Sequence, residues 1–167
     1  ELDEARRHLS NVRNRCVERA DYSHLKFLDL HRTMIEVWRG NFAEAAQIAG
    51  DSMERAEQFG GDHEFIVADV IATVVAAYAG DEKEARTRGR AAIERATRCG
   101  SAPMADQAII SLTLLEVSLG NYTDALATVE PLVTRFNTAA GTEIATAAFL
   151  PDAIEAMIAL GRFDDAE

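Results

Sequence analysis

The side chains able to do chemistry are sparse in this sequence, and their spacing assigns them no reaction. His8, His24, His31 and His63 are scattered, and no two stand four apart with a third ligand close by, so no metal centre is expected. They are read as exposed or core-capping side chains. Ser23, Ser52 and Ser111 lack the strained strand-to-helix turn that activates a nucleophilic serine. Asp29 and Asp69 lie 40 residues apart. Two such carboxylates on adjacent elements could work as general acid and base, but no nucleophile or oriented partner accompanies them. They are expected at the surface of a repeat. Arg86, Arg90, Arg95 and Arg98 could form a basic recognition stripe. Interleaved with Glu82, Glu84 and Glu94, they read instead as a solvated helix face. Cys16 and Cys99 are too far apart for a disulfide framework or a ligand pair, which suggests a reducing, cytoplasmic setting. No catalytic residue, cofactor site or metal site is assigned, and a non-enzymatic protein is expected.

Charge narrows the partners. The formal net charge is −11, which argues against nucleic-acid binding by this chain, because phosphate neutralisation needs a Lys/Arg surface. The charge is uneven. Residues 1–100 hold 15 basic and 18 acidic side chains, a difference of −3, and residues 101–167 hold 2 and 10, a difference of −8. The acidic end could repel nucleic acid or steer a basic partner, but it reads first as a solvated surface. No run of 18 apolar residues suggests a membrane span, and "ELDEARRHLS" is not a signal peptide.

The elements that must position these side chains are written as a repeat. "RGNFAEA" at 39–45 returns as "AGDEKEA" at 79–85, "LGNYTDA" at 119–125 and "LGRFDDA" at 160–166. Gly40, Gly80, Gly120 and Gly161 are spaced by 40, 40 and 41 residues, and "ELDEA" at 1–5 fits one period earlier. A Gly ending a helix can take the left-handed conformation that closes the last turn. Asn41, Asp81 and Asn121 are placed to cap the next helix by accepting from its free N–H groups. Acidic residues in the first turn suit the helix dipole. The Ala five residues after each Gly is small enough for two helices to touch, so the phrase reads as the turn of a helix hairpin. A second punctuation falls between the phrases, at "FGGDH", "CGSAP" and "AAGTE". Helices are expected over 2–20, 23–39, 41–58, 62–79, 82–98, 102–119, 121–137 and 143–160, with a ninth from about 162. Pro131 and Pro151 are expected to kink their helices. Alternatively, Pro151 splits its segment and puts Asp152 in the first turn of a new helix.

The helix before each Gly is here termed A and the one after it B. Alternating A and B helices at a period of about 40 residues predict an all-α chain. Its expected architecture is a right-handed α-solenoid of antiparallel helix pairs, tetratricopeptide-like, forming a single domain over 1–167. Thr33, Thr73 and Thr113 hold the small-residue slot seven before each Gly. In such a superhelix the A helices line a concave groove. The slots 13, 10, 6 and 2 residues before each Gly are Phe27, Leu30, Met34 and Trp38. One period on they are Val67, Val70, Val74 and Tyr78, then Gln107, Ile110, Leu114 and Ser118. These form a candidate apolar groove anchored by Trp38, Tyr78 and Met34, suited to a peptide helix or a small apolar ligand. The other reading of the same residues is inter-repeat core.

The Ala-rich helix pairs "WRGNFAEAAQIAGDSMERAEQFGG" and "AYAGDEKEARTRGRAAIERA", together with "ARRHL" and "ALGRFDDAE", resemble the helical-repeat region of large bacterial LuxR-family regulators of the maltose-activator type. The resemblance implies that the chain is the sensor segment of a longer transcriptional regulator. Such a protein carries a nucleotide-binding module before the repeat and a DNA-binding helix-turn-helix after it. It implies a partner that is a protein or peptide segment, or a small-molecule inducer. No GxxxxGK[ST] loop occurs here, and no family catalytic residue carries over. The chain opens inside a B helix and stops at the start of another, so it is expected to be a segment excised from a longer protein. Its terminal helices are then expected to expose apolar faces and to pair as a homodimer.

Overall fold

Each glycine of the repeated phrase adopts the conformation its turn requires. Gly40, Gly80, Gly120 and Gly161 have φ of 74, 76, 74 and 72°, a region where a Cβ is strained. The N–H that follows each glycine reaches back to close the helix end. Asn41 N donates to Glu36 O at 2.8 Å, Asp81 N to Ala76 O at 2.9 Å, Asn121 N to Glu116 O at 2.8 Å and Arg162 N to Met157 O at 2.9 Å. This six-to-one bond satisfies carbonyls that the helix cannot.

The computed structural model describes residues 1–136 and 147–166 of the chain. Its helices are α1 (Leu2–Glu18), α2 (Tyr22–Trp38), α3 (Phe42–Phe59), α4 (Asp62–Ala79) and α5 (Glu82–Arg98). They continue with α6 (Ala102–Ser118), α7 (Tyr122–Arg135), α8 (Leu150–Ala159) and α9 (Phe163–Ala166). No strand occurs among the described residues. Each helix packs on the next, and the A helices also stack, α2 on α4, α4 on α6 and α6 on α8. The fold is all-helical and repeat-like.

The A and B helices differ in what they bury. Eleven of the eighteen residues of α4 are buried, from Ile66 to Ala77, because neighbours cover it on several sides. The B helices bury one small-residue stripe, with Ala45, Ala85, Ala92 and Ala125 at 0 % exposure, which allows close helix approach. Gly89 marks the tightest point, since a Cβ there would lie 2.8 Å from the Leu112 side chain. Neither α1 nor α9 contributes a buried residue.

Two expectations change. Of the predicted caps, only Asp81 accepts a backbone N–H, from Glu84 at 3.1 Å. Asn41 and Asn121 make no cap bond, for a reason given below. The predicted helix over 143–160 starts at Leu150, with Pro151 and Asp152 in its first turn. Pro151 therefore opens a helix, where its missing N–H costs nothing. Residues 143–146 lie outside the described residues. Pro131 sits inside α7, which continues to Arg135.

Candidate functional site

Beneath the repeat lies a frame of buried charge. Asp29, Glu36, Asp69 and Glu116 are 2, 2, 3 and 7 % exposed. The expectation that Asp29 and Asp69 are surface residues is thus corrected. Burying an ionised carboxylate is tolerable only when cations and hydrogen bonds replace its water, and each of the four has both.

Asp29 on α2 accepts from Arg32 Nη1 at 2.9 Å and from Arg55 of α3. Asp69, in the same slot of α4, accepts from Arg95 Nη1 at 2.7 Å and Arg88 Nη1 at 3.3 Å, both on α5. Arg55 and Arg95 are themselves one period apart. In the third unit Ile109 replaces the carboxylate, and Arg135 turns to Asp106 at 2.6 Å. Burial pushes the Asp69 carboxyl above its ordinary range, and the hydrogen bond from Arg88 opposes this. Two of the arginines read as a solvated stripe, Arg86 and Arg95, are in fact tied to these buried acids.

A second set alternates with double period. Glu36 accepts from Arg6 Nε at 2.8 Å, Arg39 Nη1 at 3.1 Å and Asn41 Nδ2 at 3.0 Å. Glu116 is held by both arms of Arg86, at 2.9 and 3.0 Å, and by Asn121 Nδ2 at 2.9 Å. The bonds from Arg86 hold the Glu116 carboxyl below its usual range. In the unit between, Ala46, Ala76 and Asp81 occupy the three slots. Donation through Nδ2 thus turns each asparagine amide to the buried glutamate, and its Oδ1 makes no cap bond. Where the glutamate is absent, an aspartate is free to cap. Each of these carboxylates is held by at least one arginine.

The predicted groove residues divide. Trp38, Tyr78 and Phe27 are 55, 38 and 37 % exposed. Trp38 Nε1 donates to Tyr78 Oη at 3.3 Å, joining two A helices. Phe27 meets His63 edge-on, with centroids 5.8 Å apart. Met34, Gln107, Ile110 and Leu114 are half-buried and Ser118 is exposed. Leu30, Val67, Val70 and Val74 are buried in one core cluster and are closed to a ligand. The signal for that closure is in the sequence: "FIVADVIATVVAAY" is apolar nearly all round, the mark of a helix covered on all sides. What remains is an uncharged strip across α2, α4 and α6, with Trp38, Tyr78 and Ser118 in line at one end. Among the described residues, no three His, Cys, Asp or Glu are grouped to hold a metal ion, and no helix is long and apolar enough to cross a membrane. Compared with known proteins, the chain matches no family model, no curated protein and no solved structure.

Proposed function

We propose that the chain is a non-catalytic binding scaffold, a right-handed tetratricopeptide-like solenoid acting as the sensor segment of a LuxR-type transcriptional regulator. The observation that carries the scaffold reading is the Trp38–Tyr78 strip. Two aromatic side chains stand exposed in one slot of successive A helices, joined to each other. Aromatic side chains with a polar handle supply large contact area at low entropic cost. The ligand is a peptide segment or a small inducer, and signal passes by rigid shifts between repeats.

Trp38 is the chain's single Trp, so its emission reports directly on the strip. An effector that raises the melting temperature of the longer protein is expected to shift that emission. Trp38→Ala with Tyr78→Ala is expected to weaken its binding at least tenfold, a loss of about 1.4 kcal/mol. Unchanged affinity in the double variant would sink the strip as the binding face. The regulator assignment is tested by the gene on either side: a phosphate loop upstream and a helix-turn-helix downstream support it, and their absence ends it. A self-associating adaptor is the second reading, favoured by exposed apolar residues such as Val12 on α1 and Ile158 on α8, at 43 and 51 %.

A further inference from the structure

A polar cleft of about 490 Å³ lies between the B helices α1 and α3, over the flank of α2. Four charged side chains line it: Arg13, Arg32, Glu44 and Asp51. It is a valley between two B helices and not an end of the stack. At the next valley, between α3 and α5, the A helix α2 makes no contact with α5. By the same geometry, an A helix packed on α1 would not reach across to α3.

The repeat explains why this valley is open. One period along, Arg88 crosses from α5 toward α3, donates to Asp69 at 3.3 Å and lies 4.0 Å from Met53 Sδ. In the first unit the slot of Arg88 is Ile48, and the slot of Met53 is Arg13. Ile48 is too short to cross. The cation comes instead from the opposite wall, and it stops short: Arg13 Nε lies 3.7 Å from Asp29 Oδ1. That Nε is buried without a hydrogen-bond acceptor, an arrangement that costs free energy. Asp29 is already held by Arg32 and Arg55, so Arg13 is a surplus cation. Its side chain is 34 % exposed, which leaves the guanidinium fork able to take a partner from the cleft.

The α3 wall supplies the opposite charge. Asp51 is exposed and makes no hydrogen bond or ion pair with the described residues. Glu44 gives Oε2 to Arg6 at 3.0 Å and to Asn41 Nδ2 at 3.2 Å, while its Oε1 has only Arg32 Nη2, at 3.8 Å. In the second unit the slots of Arg13, Arg32 and Asp51 hold Met53, Ala72 and Ala91, and in the third Ile93, Leu112 and Pro131. Neither later valley repeats the set.

We propose that this cleft binds a small zwitterion of the α-amino-acid class. The ligand carboxylate accepts from the Nη donors of Arg13 and from Arg32, and its ammonium group donates to Asp51 and to Glu44 Oε1. A simple anion is drawn to the arginines but repelled by Glu44 and Asp51, and a simple cation meets the reverse. A ligand with both charges a few bonds apart meets all four side chains with matched sign. Neither Trp38 nor Tyr78 lines the cleft, so the inference is separate from their strip and from any regulatory role.

Amide NMR of the isotope-labelled 167-residue chain, titrated with each standard α-amino acid in turn, is expected to find at least one with a Kd of about 1 mM or tighter. The shifts should cluster around Arg13, Arg32, Glu44 and Asp51. The same molecule without its α-amino group, or without its carboxylate, should bind about tenfold more weakly. Arg13→Met and Asp51→Ala copy the second unit, and each should weaken binding by about the same factor with the helical circular dichroism unchanged. Ile48→Arg copies Arg88, fills the cleft and should abolish binding, and it serves as the test if Arg13→Met fails to fold. The proposal is overturned if no amino acid binds, if the shifts fall on other helices, or if the folded variants bind as well as wild type. It is also overturned if inorganic phosphate or the deaminated acid binds as tightly as the amino acid, which would make the cleft a simple anion site.

Discussion

Ala20 shows how closely single residues are held to the turn geometry. It occupies the slot of Gly60 and Gly100, and its φ of 54° is the single positive value of a non-glycine residue among the described residues. Asp21 N still closes the turn on Cys16 O at 2.9 Å. An alanine held there is strained by about 1 kcal/mol. Ala20→Gly is therefore expected to stabilise the chain by about 0.5–1 kcal/mol, read as a higher urea midpoint, and Gly100→Ala to lower it by about the same. Glu116 gives a pH signature. Its folded carboxyl is held low by the bonds from Arg86, so its contribution is present above the ordinary glutamate range and is lost as pH falls through the folded value. Glu116→Gln should cost about 2 kcal/mol at neutral pH, and the gap to wild type should close below about pH 4. Asp69 runs the other way. Its carboxyl is raised by burial, so its contribution is greatest when protonated and declines as pH rises through that raised value. The difference curve for Asp69→Asn should slope oppositely to that for Glu116→Gln, and parallel slopes would contradict these environments.

Elements were legible where local chemistry writes them and obscure where partners are distant in sequence. The glycine period places the turns after α2, α4, α6 and α8, because a left-handed turn is a property of a few adjacent residues. Several carboxylate partners lie 26 or 30 residues away, as with Arg95–Asp69 and Arg86–Glu116, and no periodic template names them. The information was nonetheless present. Arg6 with Glu36 and Arg86 with Glu116 alternate with Ala46 and Ala76, and the fourth unit places Leu126 and Met157 in those slots. Charge enters and leaves the two slots together, as it must if one buried ion cannot stand alone. The groove slots failed on α4 for a related reason. Val67, Val70 and Val74 are short, and their neighbours on α2 and α6 close over them, whereas Trp38 and Tyr78 are long enough to remain outside. The paired slots make a prediction. Arg86→Leu alone leaves the buried Glu116 without its cation and should cost about 3 kcal/mol, whereas Glu116→Met alone leaves a partly exposed Arg86 still paired with Glu82 and should cost less. Together they copy the Leu126–Met157 unit and should fall within about 1 kcal/mol of wild type. The coupling in that double-mutant cycle is then about 2 kcal/mol or more. A double variant as unstable as the sum of the singles would refute the pairing.

At the scale of the whole molecule, each helix depends on its neighbours in sequence, and stability should be graded along the chain. Contacts run between consecutive helices and between successive A helices, with none joining the two ends. In such a one-dimensional stack the free energy is close to a sum of unit and interface terms, so the ends open without the middle. The buried side chains are distributed accordingly. The α4 helix buries eleven residues and touches α2, α3, α5 and α6, whereas α1 buries none, packs on α2 and reaches α3 through the Arg6–Glu44 ion pair. Amide hydrogen exchange should therefore be slowest in α4 and the facing parts of α3, α5 and α6, and fast in α1 and α9. Val70→Ala, which removes two buried methyl groups from the cluster around α4, should cost about 2 kcal/mol and lower protection from α2 through α6. Leu9→Ala, on the half-buried face of α1, should change exchange in α1 and α2 and leave α6 untouched. If the two substitutions instead lower protection uniformly along the chain, the molecule unfolds as one cooperative unit and the stack description fails.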